Sequence, residues 1–255
     1  MTTAHDLPRT EAVKRPRRLL LHGLRPAART VLGRRYDLQV RHSERIPAHG
    51  PVIVASNHVG LLDGPLLAIV TPRPVHALTK EEMFRGRMGV FLRAAGQIPL
   101  DRYAPDPRAI KTCIRVLRDG GAVGVFPEGG RGHGELTRFH HGAAYLALVT
   151  GAPVVPLMMF GTRPPGGRLS ALPSPGDRVD LWYGEPWRID PVPWPRSRAT
   201  VLEASALLRE RMLADLGAAK AETGRTLPGR IPGPTPDDPD TGFVAHEPSE
   251  MEPRA

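Results

Sequence analysis

Residues 51–65, Pro51-Val-Ile-Val-Ala-Ser-Asn57-His58-Val-Gly-Leu-Leu-Asp63-Gly-Pro65, carry an unbroken apolar run straight into a polar turn. A Val/Ile run without polar alternation is what a strand buried on both faces requires, and such strands occur in sheets covered by helices on both sides. The change at Asn57 ends the strand and presents Asn57 and His58 together. Asp63 follows where the next helix should begin. Carboxyl ends of strands are where α/β sheets place their sites, so this stretch sets both the fold class and the place to look for chemistry.

Working outward, similar short runs rich in Val and Ile at 37–42, 74–79, 122–126, 153–160 and 178–184 alternate with helical patterns, the signature of an α/β domain. The clearest helix is 107–119. Asp106 is its N-cap, Pro107 takes the first helical position, and Ala109, Ile110, Cys113, Val116 and Leu117 form one face before Gly120. The sole cysteine, Cys113, is therefore a core residue, and no internal disulfide or cysteine metal cluster is available. A late helix at 201–216 opens with Thr200-x-x-Glu203, a capping-box pattern, and carries Val201, Leu208, Met212 and Leu216 on one stripe.

The chain of 255 residues has a net charge of +9, which favours an anionic partner. Much of the excess is local. Between Glu11 and Asp37 no acidic residue occurs, while Lys14, Arg15, Arg17, Arg18, Arg25, Arg29, Arg34 and Arg35 surround Leu19, Leu20, Leu21, Leu24, Val31 and Leu32. Residues 1–35 thus form a basic amphipathic segment, suited to an anionic membrane surface or equally to a solvated arm or a packed helical cap, and Pro16, Gly23 and Pro26 interrupt any single helix. Residues 36–220 form the folded domain. Residues 221–255, with seven prolines and clustered acids, read as a disordered tail. No window supplies the ~18 apolar residues of a spanning helix, and Leu19–Leu21 is too short for a secretory signal, which places the protein in the cytoplasm. A nucleic-acid function would rest on the basic arm alone, since no nucleic-acid motif is visible; with 31 Arg against 4 Lys, part of the charge reflects composition rather than a partner.

An imidazole with an ordinary pKa of about 6.5 takes a proton from an alcohol near neutral pH, and a carboxylate on its other nitrogen fixes the tautomer and stabilises the imidazolium. His58 and Asp63 are close enough in sequence to form that pair without a protein nucleophile. A structural turn histidine is the other reading of the same residues. His133, His140 and His141 match no common metal-ligand spacing and read as a loop cluster.

Asn57-His58-x-x-x-x-Asp63 resembles the first motif of the glycerolipid acyltransferases, the 1-acyl-glycerol-3-phosphate acyltransferase family. Gly96-Gln-Ile-Pro-Leu-Asp-Arg102 resembles the family's second motif, Phe126-Pro-Glu128-Gly129-Gly130-Arg131 its third and Ala152-Pro-Val-Val-Pro156 its fourth, in the family's order. Leu78-Thr-Lys80-Glu-Glu-Met-Phe84 and Tyr183-Gly-Glu-Pro186 extend the likeness to about residues 36–190. Two positions depart: Gly60 stands where the first motif often has Ser, and Gly130 where the third usually has Thr.

The resemblance implies an α/β fold with a mixed central β-sheet flanked by helices. It implies His58 and Asp63 as catalytic pair, with Asn57, Arg102, Glu128, Gly129 and Arg131 binding substrate, the arginines on phosphate and Glu128 on Arg131 or a glycerol hydroxyl. The implied reaction moves a fatty acyl group from acyl-CoA or acyl carrier protein to the free hydroxyl of 1-acyl-glycerol-3-phosphate, giving phosphatidic acid, with no cofactor and no metal. Another lysolipid acceptor, or a non-catalytic lipid-binding or nucleic-acid-binding protein, is the competing reading. The implied partners are a lysophospholipid, the acyl donor and an anionic membrane surface, with no nucleic acid, and the implied location is peripheral on the inner face of the cell membrane.

Overall fold

The computed structural model describes residues 7–17, 19–229 and 231 of the chain. Two short helices, α1 (Leu19–Gly23) and α2 (Arg25–Arg35), precede strand β1 (Asp37–Arg41). Then follow β2 (Val52–Ser56), α3 (Asp63–Val70), β3 (Val75–Lys80), α4 (Gly86–Ala94), β4 (Ile98–Leu100), α5 (Pro107–Arg118), β5 (Ala122–Val125), α6 (Gly142–Thr150), β6 (Val154–Phe160), β7 (Arg178–Tyr183) and α7 (Arg198–Thr223). The strands form one seven-stranded sheet in the order β1-β7-β6-β2-β5-β3-β4. Only the β6–β7 pairing is antiparallel, so the sheet is mixed, as the resemblance implied.

β2 sits between β5 and β6, with Ala55 opposite Val125 on one side and Pro156 on the other, and all five of its residues are buried. That central position is why its sequence does not alternate. Helices cover both faces. Cys113, Ile114, Leu117, Leu146, Leu208 and Met212, from α5, α6 and α7, belong to one apolar cluster, whereas Leu66, Leu67 and Val70 of α3 join Tyr36 in the other. The chain leaves β2 through α3 toward β3, but leaves β5 through α6 toward β6 on the opposite side. The carboxyl ends of β2 and β5 therefore flank a switch point, where an α/β sheet opens a crevice.

The expected strands stand within one residue of their observed bounds, while β4 has three residues around Pro99 and was not expected. α5 is capped as its sequence requires, the Asp106 carboxylate accepting from Arg108 N and Ala109 N at 2.9 and 3.0 Å. The late helix is corrected. It begins at Arg198 with Ser197 as N-cap, its Oγ accepting from Thr200 N at 3.0 Å, so Thr200 lies inside the first turn instead of capping it. It also continues to Thr223, because Glu222 accepts from Trp182 Nε1 at 2.7 Å and pairs with His42, tying the last turn to the sheet edge.

The tail boundary moves accordingly. Residues 221–223 complete α7, Leu227 packs on the apolar core and the Pro228 carbonyl accepts from Gly166 N. Residues 230 and 232–255 of the expected tail lie outside the described residues, as do residues 1–6 and 18 of the basic segment. Parts of the rest of that segment are docked. Arg118 donates to Pro8 O and Thr10 Oγ1, Arg15 pairs with Asp119, and Arg25 donates to the carbonyls of Ile69 and Thr71 at the end of α3.

Candidate active site

The turn after β2 is organised by one carboxylate. Asp63, fully buried as the first residue of α3, accepts through the same Oδ2 from His58 Nδ1 at 2.7 Å, Val59 N at 2.7 Å and Gly60 N at 2.8 Å. The helix N-terminus favours a negative charge there. The two backbone donors hold the carboxylate independently of the imidazole, and the carboxylate in turn holds the proton on His58 Nδ1. Nε2 is left as the ring's acceptor, and among the described residues it has no hydrogen-bond partner. The imidazole stacks on Phe126 at 4.1 Å between ring centroids, and its side chain keeps 19% exposure.

Glu128 approaches the same turn from the end of β5. Its Oε1 accepts from His58 N at 2.8 Å, and Gly134 N and Leu136 N also donate to the carboxylate. Burial pushes its carboxyl up to about 7, with the Asp63 charge adding to the effect and the three backbone donors opposing it. The expected Glu128–Arg131 pair is absent among the described residues. Arg131 donates instead to Leu169 O at 2.8 Å, so Glu128 anchors the turn that carries His58.

The second and third motifs do meet. Arg102 NH1 lies 3.3 Å from Gly129 O, and a Cβ added at Gly130 would stand 3.9 Å from the same nitrogen. Gly129 has φ +73°, and a Cβ there would come within 2.5 Å of the His140 ring, so the turn requires glycine. Gly60 has an equally physical reason. A Cβ at 60 would lie 2.5 Å from Thr162 O, which leaves no space for the serine often found in that motif.

Asn57 is corrected. It is fully buried and exchanges both amide groups with the backbone of Met159, Nδ2 donating to O at 3.1 Å and Oδ1 accepting from N at 2.8 Å. It extends the β2–β6 ladder past the strand end, with both ends of its amide already paired. The three loop histidines have separate partners, His133 with Gly229 O, His141 with Ser205 Oγ, and His140 N with Pro127 O.

Arg163 was missed by sequence reasoning. At 1% exposure it donates from Nε to Val59 O at 2.9 Å and from its terminal nitrogens to Gly167 O, Gly132 O and Gly229 O at 2.7, 3.2 and 3.1 Å. It joins the His58 turn, the third-motif loop and residue 229 through one planar group, a use for which guanidinium is suited. Among 31 arginines nothing in its local sequence distinguishes it.

An imidazole with an open Nε2, held by a buried carboxylate at the carboxyl end of a central strand, is an arrangement able to accept a proton from a hydroxyl. The comparisons with known proteins specify the chemistry. The Acyltransferase family profile matches residues 37–160. The 1-acyl-sn-glycerol-3-phosphate acyltransferase of Bacillus subtilis is 34% identical over 137 residues, covering 53% of this chain and 68% of the relative. The protein of the same name from Borreliella burgdorferi is 34% identical over 128 residues, which span 48% of this chain and 51% of that relative. The crystal structure of the 1-acyl-sn-glycerophosphate (LPA) acyltransferase PlsC of Thermotoga maritima superimposes with a TM-score of 0.57 at 26% identity, over 78% of this chain and 80% of that one. The chain belongs to the glycerolipid acyltransferase family and is an O-acyltransferase.

Proposed function

We propose that the protein transfers a fatty acyl group from acyl-CoA or acyl carrier protein to the free hydroxyl of 1-acyl-glycerol-3-phosphate, forming phosphatidic acid. The observation that carries this reading is the 2.7 Å bond from His58 Nδ1 to the buried Asp63 carboxylate, which leaves Nε2 to accept a proton. His58 Nε2 takes the hydroxyl proton as the oxygen attacks the thioester carbonyl. The tetrahedral intermediate collapses, the C–S bond breaks, and the imidazolium returns its proton to the thiolate. Asp63 stabilises the imidazolium without itself being protonated. Arg102 and Arg131 hold the acceptor phosphate at the joined second and third motifs, where guanidinium geometry suits phosphate oxygens. Gly129 supplies the turn, and Glu128 acts by holding the backbone of His58.

The reaction takes place at an anionic membrane surface, on the cytoplasmic side where thioester donors occur. Support for the surface comes from α2, whose Leu24 flank and Val31 are exposed beside exposed Arg29, Arg34 and Arg35. No described helix is long and apolar enough to cross a membrane. The test is a panel of lysolipids offered to the purified protein with labelled acyl-CoA, with His58→Ala as control. Lysophosphatidic acid is expected to be the best acceptor and His58→Ala to be inactive. Negligible use of lysophosphatidic acid beside another lysolipid would overturn the acceptor, and full activity of His58→Ala would overturn the mechanism.

A further inference from the structure

α4 turns its apolar side away from the protein. Gly89 packs against Phe84, so closely that an added Cβ would meet its carbonyl oxygen, and is the helix's buried residue. At 100° per residue Arg87 and Phe91 then lie opposite the buried side, with Met88 and Val90 on its flanks. The exposures agree: Met88 52%, Val90 69% and Phe91 51%. Met88 and Phe91 stand one turn apart and Val90 lies on the other side of Arg87, so the outward half of this nine-residue helix exposes three large apolar side chains, and exposed apolar surface of this kind marks an interaction site. Its surroundings are basic. Arg85 and Arg87 lie beside it, Arg93 is turned inward to donate to Phe84 O at 2.8 Å, and no acidic residue occurs between Glu82 and Asp101.

The patch adjoins the catalytic edge. β3 ends at Lys80, the 3-10 turn Glu81–Phe84 follows, and α4 starts there before running back to β4. Glu82 of that turn reaches Arg102 at 4.0 Å, so the start of α4 lies beside the second motif. Two more exposed apolar residues occur at this edge, Leu61 inside the His58–Asp63 turn at 42% and Tyr103 next to Arg102 at 47%.

We propose that the outward face of α4 docks the enzyme on an anionic lipid bilayer, with Met88, Val90 and Phe91 entering the acyl boundary and Arg85 and Arg87 lying at the lipid phosphates. The inference rests on the proposed acceptor in one respect: a lysolipid keeps its acyl chain in the bilayer, so the edge bearing His58 has to meet that surface whichever donor is used. Apolar side chains rimmed by guanidinium groups are complementary to an anionic interface.

The experiment uses the full chain, with vesicles of phosphatidylcholine alone or mixed with phosphatidylglycerol, and a parallel assay on a short-chain acceptor dispersed as monomer. The triple variant Met88→Ser, Val90→Ser, Phe91→Ser is expected to bind mixed vesicles at least about tenfold more weakly, with activity on the monomeric acceptor retained. Arg85→Gln with Arg87→Gln is expected to reduce the preference for phosphatidylglycerol. Phe91→Trp is expected to gain blue-shifted emission over the parent protein when mixed vesicles are added, and this readout stands even if the triple variant fails to fold. Unchanged vesicle binding of a folded triple variant, or no shift for Phe91→Trp, would overturn the proposal. So would unchanged vesicle binding accompanied by loss of self-association or of acyl carrier protein binding, which would make the face a protein interface. Failure of acyl transfer to lysophosphatidate by the parent protein, with vesicle binding behaving as described, would overturn only the proposed acceptor.

Discussion

Replacing Asp63 by asparagine separates the charge of the buried carboxylate from its geometry. Val59 N and Gly60 N both donate to Oδ2, at 2.7 and 2.8 Å, so the amide oxygen of the substituted side chain is held where Oδ2 now lies and its amino group is directed away. Placing the amino group there instead would set it against two backbone donors, which costs about 1–3 kcal/mol for each donor left unpaired. The His58 tautomer is therefore preserved, and the substitution removes the ion pair that forms when the imidazole is protonated while setting one amino group where Oδ1 now lies, buried and without a hydrogen-bond partner among the described residues. Unit charges about 4 Å apart at an effective dielectric of about 20 attract by about 4 kcal/mol. A neutral hydrogen bond to the amide recovers about 1 kcal/mol. The remaining ~3 kcal/mol corresponds to roughly a hundredfold loss in kcat. Steady-state kinetics on Asp63→Asn should show that loss with KM nearly unchanged, and stability lowered only by about 1–3 kcal/mol for one unpaired amino group. Asp63→Ala, which orphans both backbone donors, should lose stability as well. Asp63→Asn activity within about tenfold of the parent would refute the reasoning, as would a loss of stability as large as that of Asp63→Ala.

Glu128 offers a pH test. Its carboxyl rises from an ordinary 4.5 to about 7 in the folded protein, so the native state binds the proton more tightly, and this contribution to stability is complete below pH ~4.5 and lost as pH rises through ~7. Glu128→Gln should flatten the fall in stability across that window by up to about 3 kcal/mol, measured by denaturant unfolding at several pH values; parallel pH profiles for the two proteins would refute it. Gly60→Ser should lower stability by about 1–3 kcal/mol, because the Cβ meets Thr162 O at 2.5 Å, and the unfolding midpoint reads this directly. Arg163→Met should cost at least about 3 kcal/mol by stripping donors from the carbonyls of Val59, Gly132, Gly167 and Gly229, and kcat should fall with it as the His58 turn and the third-motif loop separate. An Arg163→Met protein with the parent's midpoint would show those bonds to be dispensable.

The parts of the fold that were legible are those whose physics is local. The run Val52–Ser56 had to be a two-sided strand, and Asp106-Pro107 had to open a helix, because burial pattern and capping act within a few residues. β4 was not legible: three residues around Pro99 carry too little pattern, and the strand exists because β3 offers it a parallel edge at Leu78–Lys80. The end of α7 was misplaced for a related reason. Its composition weakens after Leu216, but Glu222 is held by Trp182 and His42, which are 40 and 180 residues away. Asn57 beside His58 looked like a substrate ligand, and only the approach of Met159 from β6 shows that both ends of its amide are already used.

By itself the sequence determined an α/β sheet, the end of the buried strand β2 and the meeting of His58 with Asp63, because a spacing of five residues lets one short turn bring those side chains together. Tertiary structure decided what surrounds that pair. It set Glu128 on the backbone of His58 across 70 residues, Arg163 on Val59 across 104, and Arg102 against Gly129 across 27. Such bonds depend on which strands lie side by side. Strand order β6-β2-β5-β3-β4 is a property of the packed sheet, and no local pattern of residues encodes it.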